Sequence, residues 1–166
     1  MAGSRRTGAG QGADKRRRSA ARLACVQALY EMEVSGAATD PVLEAFMSER
    51  WSAPEAGFVN QAPDPAFLSV LVRGVSAGRE DLDALISPLL PENRDLARME
   101  ILLRVVLRAG AYELAFRPDI PAKVAINEYV DVAHAFYAGK EPGLVNAVLD
   151  RLARQVRGED AGSGEL

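Results

Sequence analysis

The sequence predicts an all-α fold, and three observations carry that prediction. Apolar residues recur at helical spacing along most of the chain, while almost no stretch alternates apolar and polar residues between turns as a half-buried strand would. Proline and glycine stand where helices open and close: Asp40-Pro41, Asp64-Pro65 and Glu141-Pro142 at starts, Gly36 and Gly139 at ends. Two segments, 96–116 and 121–137, are apolar over so much of their circumference that both must be buried on two sides.

The elements follow in order. Residues 1–13 hold Gly, Ala, Ser, Thr and Arg with nothing to bury, and are expected to be disordered. A first helix runs from about Asp14 to Ser35, with Leu23, Val26, Tyr30 and Val34 on its apolar side and Gly36 ending it. A second starts at Asp40, an N-cap residue followed by Pro41, and ends near Trp51. Residues 52–63 are the one long internal loop. A third helix starts at Asp64-Pro65 and continues through Leu82 and Ile86, with a bend expected at Gly74 and Gly78. The central helix follows from Leu96 to Phe116. Pro121 opens the next, which carries two apolar stripes, one through Ile126, Val130, Ala133 and Tyr137 and one through Ala125, Tyr129, Val132 and Phe136. The last helix begins near Glu141-Pro142 and bears Leu144, Val145, Val148, Leu149, Leu152 and Val156. The expectation is one compact domain of about six to seven helices over residues 14–157, followed by a disordered tail at 158–166.

Charge is divided very unevenly. Residues 1–22 hold seven Lys/Arg and one acid, a net +6, whereas the other 144 residues hold 13 Lys/Arg and 22 Asp/Glu, a net −9. The overall charge of −3 hides this. A cationic arm on an acidic body suggests a polyanionic partner met at one place. The single cysteine, Cys25, excludes an internal disulfide framework and a Cys-based zinc site, sits among helical apolar positions as a core residue, and fits a reducing cytoplasm. No apolar run approaches the ~20 residues of a membrane span, so no membrane partner is expected.

Catalysis is not expected. The chain has one histidine, His134, and no phosphate-binding loop, nucleophile elbow or zinc-protease helix motif. The Glu80-Asp81-Asp83 cluster lacks the spacing of a calcium loop and is expected to be a solvated helix face. No cofactor or metal is implied. Binding is better supported: Arg16, Arg17, Arg18 and Arg22 offer phosphate contacts from one segment, and Tyr30 lies downstream on the same helix. A phenol near clustered arginines suits single-stranded RNA, whose unstacked bases sit on aromatic faces. From the arm alone, DNA or an acidic protein stays open as the partner.

Three blocks carry a family resemblance. The first is Arg16-Arg17-Arg18 followed by Ala24-Cys25-Val26-Gln27-Ala28-Leu29-Tyr30. The second is Leu107-Arg108 with Tyr112-Glu113-Leu114. The third is Ile120-Pro121-Ala122-Lys123-Val124-Ala125-Ile126-Asn127-Glu128, then Val145-Asn146-Ala147-Val148-Leu149-Asp150. In this order they resemble the NusB transcription-antitermination factors, over roughly residues 16–157 apart from the 52–63 loop. The resemblance implies a NusB-like all-helical fold of two small bundles and a non-enzymatic RNA-binding factor. It also implies binding to boxA-type RNA of nascent ribosomal-RNA transcripts, together with the small-subunit ribosomal protein NusE, within the RNA polymerase antitermination complex. Matching positions for the RNA surface are Arg16, Arg17, Arg18, Arg22, Gln27, Tyr30, Lys140 and Asn146.

One departure from the family pattern is Gly143-Leu144, where the family often has Lys-Phe, and another is Ala147 in place of Gly. Arg108, Glu113, Lys123, Asn127 and Glu128 are expected to tie helices together, because buried polar groups must be paired. Two alternatives stand beside the main reading. One is the RNA-binding domain of an rRNA methyltransferase, for which the chain, ending at Leu166, leaves no room for a cofactor-binding domain. The other is a helical protein-interaction module, including self-association as a homodimer.

Overall fold

The structure is a computed structural model that describes residues 7–48 and 62–158, with side chains from residue 10 onward. Among the described residues there are seven α-helices and no strand: α1 (Thr7–Ser35), α2 (Thr39–Ser48), α3 (Pro65–Ala77), α4 (Arg79–Ile86), α5 (Ile101–Phe116), α6 (Ala122–Phe136) and α7 (Glu141–Arg157). Short 3-10 turns at Ser87–Leu89 and Leu96–Arg98 link α4 to α5.

Local chemistry sets most boundaries. Gly36, at φ 73°, takes a left-handed conformation that ends α1. Asp64 caps α3 by accepting a hydrogen bond from the Phe67 N–H at 3.1 Å, and Pro65 fills the first turn, where a missing N–H costs nothing. The expected bend between 65 and 86 is a full break at Gly78, which gives α3 and α4. The central helix starts later than its apolar pattern suggests. Asp95 caps a 3-10 turn by accepting from the Ala97 N–H, and Met99 and Glu100 are extended before α5 begins at Ile101. Pro121 precedes α6 as its N-cap instead of filling its first position.

Residues 7–13 are helical, continuous with α1, where disorder was expected from composition. Residues 1–6, the end of the expected second helix at Trp51, most of the 52–63 loop and the tail beyond Gly158 lie outside the described residues.

The helices group as the family resemblance implies. α1, α2 and α3 pack together, α5, α6 and α7 pack together with α4 alongside, and α1 crosses to α5 and α6. One continuous apolar cluster runs through both groups, from Ala21 and Leu29 through Leu68, Leu71, Leu107 and Tyr129 to Leu149 and Leu152. α5 is the shared member, and its residues 105–111 are buried without interruption. Gly110 permits its approach to α7, since a Cβ there would stand 2.6 Å from Leu149 Cδ1.

Candidate RNA interface

The arm is the start of α1, and helical geometry decides what it can present. Consecutive helical residues point about 100° apart, so Arg16, Arg17 and Arg18 fan out from one turn and cannot share a face. All three are exposed. Arg16 leads a stripe through Leu23, Gln27 and Tyr30, at spacings of 7, 4 and 3 residues. Gln27 is half-buried and Tyr30 is 42% exposed, so this stripe opens to solvent along the helix. Arg17 lies toward α3, where its backbone carbonyl accepts from the Asp64 N–H at 3.0 Å.

Arg18 also meets α3, through its side chain. Its guanidinium lies over the Phe67 ring, 5.2 Å from the centroid. Two further guanidinium groups share that ring, Arg22 at 5.1 Å and Arg117 at 5.4 Å. Each of those two has a carboxylate of its own. Arg117 donates to both Asp119 oxygens, at 3.0 and 2.9 Å. That hydrogen-bonded pairing holds the Asp119 carboxyl at about 2, with Arg18 adding to the effect. Beside Arg18 a groove of about 530 Å³ runs between α1 and the start of α6, with Lys15, Asp119, Pro121 and Val124 among its lining residues.

Arg22 corrects the sequence expectation. It was placed among the phosphate contacts, but it is only 2% exposed. Its Nε and Nη2 donate to Glu113 at 2.9 Å each, and Nη1 stands 3.4 Å from Glu128. Glu128 also accepts from the Ser19 hydroxyl at 2.7 Å. The spacing that put Arg22 beside the arm was right, but one turn further along α1 the helix is already under α5 and α6.

Lys140 is the residue before α7, and Asn146 lies one and a half turns into it; both are exposed. Between them and the body of α6, Tyr137 caps the end of α6 and packs on the core. Burial, with the neighbouring Glu100 carboxylate, pushes its phenol up, and Tyr30 and Glu141 act on it electrostatically.

The expected interior ties divide. Arg108, 4% exposed, donates to both Asp83 oxygens at 2.7 and 2.9 Å and to Glu33 at 2.9 Å, so Asp83 is a half-buried partner of Arg108, while Glu80 and Asp81 are exposed as a solvated face predicts. Glu113 is fully buried and Glu128 half-buried in the Arg22 network. Lys123 and Asn127 are exposed on α6 and tie nothing there, because they fall on the helix side opposite Ala125, Ile126 and Tyr129. Cys25 is a buried core residue, as its position predicts. Among the described residues no cluster of His, Cys, Asp and Glu could hold a metal ion, and no helix is long and apolar enough to cross a membrane.

Phe67, Arg117 and Asp119 escaped the sequence reading. Phe67 follows the α3 periodicity as a core residue, and nothing local shows that its ring receives side chains from residues 18 and 117. Only the packing of α1, α3 and the α5–α6 turn brings them together.

Comparison with known proteins shows what the chain as a whole is similar to. The pattern of the NusB family matches residues 19–154. The transcription antitermination protein NusB of Bradyrhizobium sp. (strain ORS 278) is 48% identical over 147 residues, covering 88% of this chain and 87% of the relative. That of Rhodopseudomonas palustris (strain BisB18) is 48% identical over 149 residues, covering 89% and 88%. The structure of T. maritima NusB superposes with a TM-score of 0.72 at 28% identity, covering 87% of this chain and 95% of that one.

Proposed function

The chain belongs to the NusB family, and on that premise we propose that it binds boxA-type single-stranded RNA of nascent ribosomal-RNA transcripts as a transcription antitermination factor. Like its relatives it is a transcription factor and not an enzyme. In this reading it acts in the cytoplasm together with the ribosomal protein NusE, as part of the antitermination complex on RNA polymerase.

The observation that carries the RNA reading is the Arg16–Gln27–Tyr30 stripe. A cation, an amide and an open aromatic face lie in line over about 21 Å of helix, at 1.5 Å per residue. A phosphate contact, a hydrogen-bonding group and a stacking face are what a single strand needs. Arg17, Arg18, Lys140 and Asn146 extend the proposed surface. Arg22 is left out of it, because its donors are occupied inside the protein. Leu144 packs against the core and offers no stacking face at the α7 start, so Tyr30 is the main aromatic contact.

The test is a titration of the protein with boxA-like RNA and with a scrambled RNA of the same length at physiological salt, with and without the ribosomal partner. Tighter binding of the boxA-like strand, increased by the partner, supports the reading. Equal binding of both strands would reduce the arm to a general polyanion site.

A further inference from the structure

The last helical residue described reaches back to the turn between α5 and α6. Arg157, at the end of α7, donates to the carbonyls of Glu113, Leu114, Arg117 and Ile120. These carbonyls belong to the end of α5 and the turn that follows; those of Glu113 and Arg117 already accept the Arg117 and Ile120 N–H groups, and Arg157 gives them a second donor. A single planar guanidinium with five donors satisfies several at once. The turn it holds carries Arg117 and Asp119. Arg117 lies over the same Phe67 ring as Arg18, and Asp119 lines the groove beside Arg18, whose charge adds to the lowering of the Asp119 carboxyl. Arg18 itself lacks a carboxylate at ion-pair distance among the described residues; the Phe67 ring lies beneath it, and Asp119, Ile120 and Pro121 line the groove beside it.

We propose that Arg157 is a positioning residue for Arg18: by clamping the 117–120 turn it fixes the Arg117–Asp119 pair, which with Phe67 holds the Arg18 guanidinium ready for a phosphate of single-stranded RNA. The inference rests on the RNA reading and deepens it. It goes beyond the basic arm itself, since Arg157 lies 139 positions further along the chain and touches no arm residue. A guanidinium left to rotate freely would lose side-chain entropy on binding RNA; one already held on a ring loses less. Three cations on one ring also repel one another. Glu113 and Asp119 offset Arg22 and Arg117, so the ring carries Arg18 beside two neutralised cations only while the 117–120 turn keeps the Arg117–Asp119 pair in place.

The experiment compares the parent with Arg157→Ala, Arg157→Lys, Arg18→Ala and the Arg18→Ala/Arg157→Ala double variant, all compared at equal folded concentration. Two readouts are taken: the carboxyl-carbon titration of Asp119 by NMR, and the salt dependence of binding to boxA-like RNA. The Asp119 titration should move in Arg157→Ala from about 2 toward the unperturbed 3.8, and partway in Arg157→Lys, whose ammonium cannot span the carbonyls. The slope of log K against log salt should flatten by about 0.7 in Arg157→Ala, as in Arg18→Ala, because one phosphate contact is lost. The double variant should flatten no further. A purely structural Arg157 would lower the melting temperature and leave the slope of the folded protein unchanged, and that result overturns the proposal. A full further 0.7 in the double variant also overturns it, since Arg157 would then act independently of Arg18. Absence of RNA binding by the parent would overturn this inference and the RNA reading together.

Discussion

Arg22 on α1 and Glu113 on α5, 91 positions apart in the chain, form a two-pronged ion pair with no solvent access to the carboxylate. Burial alone would disfavour the Arg22 cation, but the hydrogen bonds and charge of Glu113 outweigh it and hold the guanidinium more firmly charged. The pair joins the two helical groups at their centre, directly beneath the basic arm.

Removing one partner leaves the other charge buried and unpaired. Arg22→Ala or Glu113→Ala should therefore destabilise the fold by roughly 3–5 kcal/mol. Chemical denaturation checks this. The salt slope of RNA binding by the remaining folded protein should match the parent, because Arg22 is not on the surface. A flattened slope for Arg22→Ala at full stability would restore it to the interface.

Cys25 lies beside the same centre. Burial pushes its thiol up, and the nearby Glu113 charge adds to the shift, so the reactive thiolate is strongly disfavoured. Alkylation by iodoacetamide should proceed no faster than the protein opens, and should become rapid in denaturant. Native-state labelling at the rate of a free thiol would contradict the buried placement.

Asn127 is the clearest case where position and residue type misled. An amide within Ile126-Asn127-Glu128 suggests an interior tie, yet it faces solvent. Asn127→Leu should change stability by no more than about 0.5 kcal/mol, as surface substitutions usually do. A drop of several degrees in melting temperature would show that the side chain has a partner after all.

Tyr30, at 42% exposure, divides its ring between packing and solvent. Tyr30→Ala should weaken RNA binding by ~1–3 kcal/mol. Its cost in stability should fall below the ~3–5 kcal/mol of truncating a fully buried aromatic. Tyr30→Phe should bind nearly as well as the parent, since the stacking face survives. Unchanged affinity in Tyr30→Ala would remove the ring from the interface.

What could be read in advance follows from how far each signal reaches along the chain. Helical periodicity and Pro/Gly punctuation are local, so the helices stood out, α5 and α6 most of all because both are apolar on two sides. The boundaries that shifted were set by other short-range choices: the Asp95 cap inserted a 3-10 turn before α5, and Gly78 broke a helix that periodicity alone would continue. The helical 7–13 segment was hidden because Gly and Ala composition carries no apolar stripe. The charge division located the arm, and the Leu107-Arg108 and Tyr112-Glu113 blocks marked buried ties. Yet no spacing shows that residues 18, 22, 67 and 117 meet, or that Arg22 is spent on Glu113, because those contacts exist only once α1 crosses α5.

The central claim is that the arm contacts RNA phosphates while the network beneath it holds the fold. The measurement that tests it most directly is the salt dependence of binding to boxA-like RNA by the parent and by Arg16→Ala/Arg17→Ala/Arg18→Ala, with circular dichroism confirming an unchanged helical fold. Each lost contact to a single strand lowers the slope of log K against log salt by about 0.7, so the triple variant should flatten it by about 2. An unchanged slope in a fully folded variant would mean that the arm does not touch RNA, and would contradict the account.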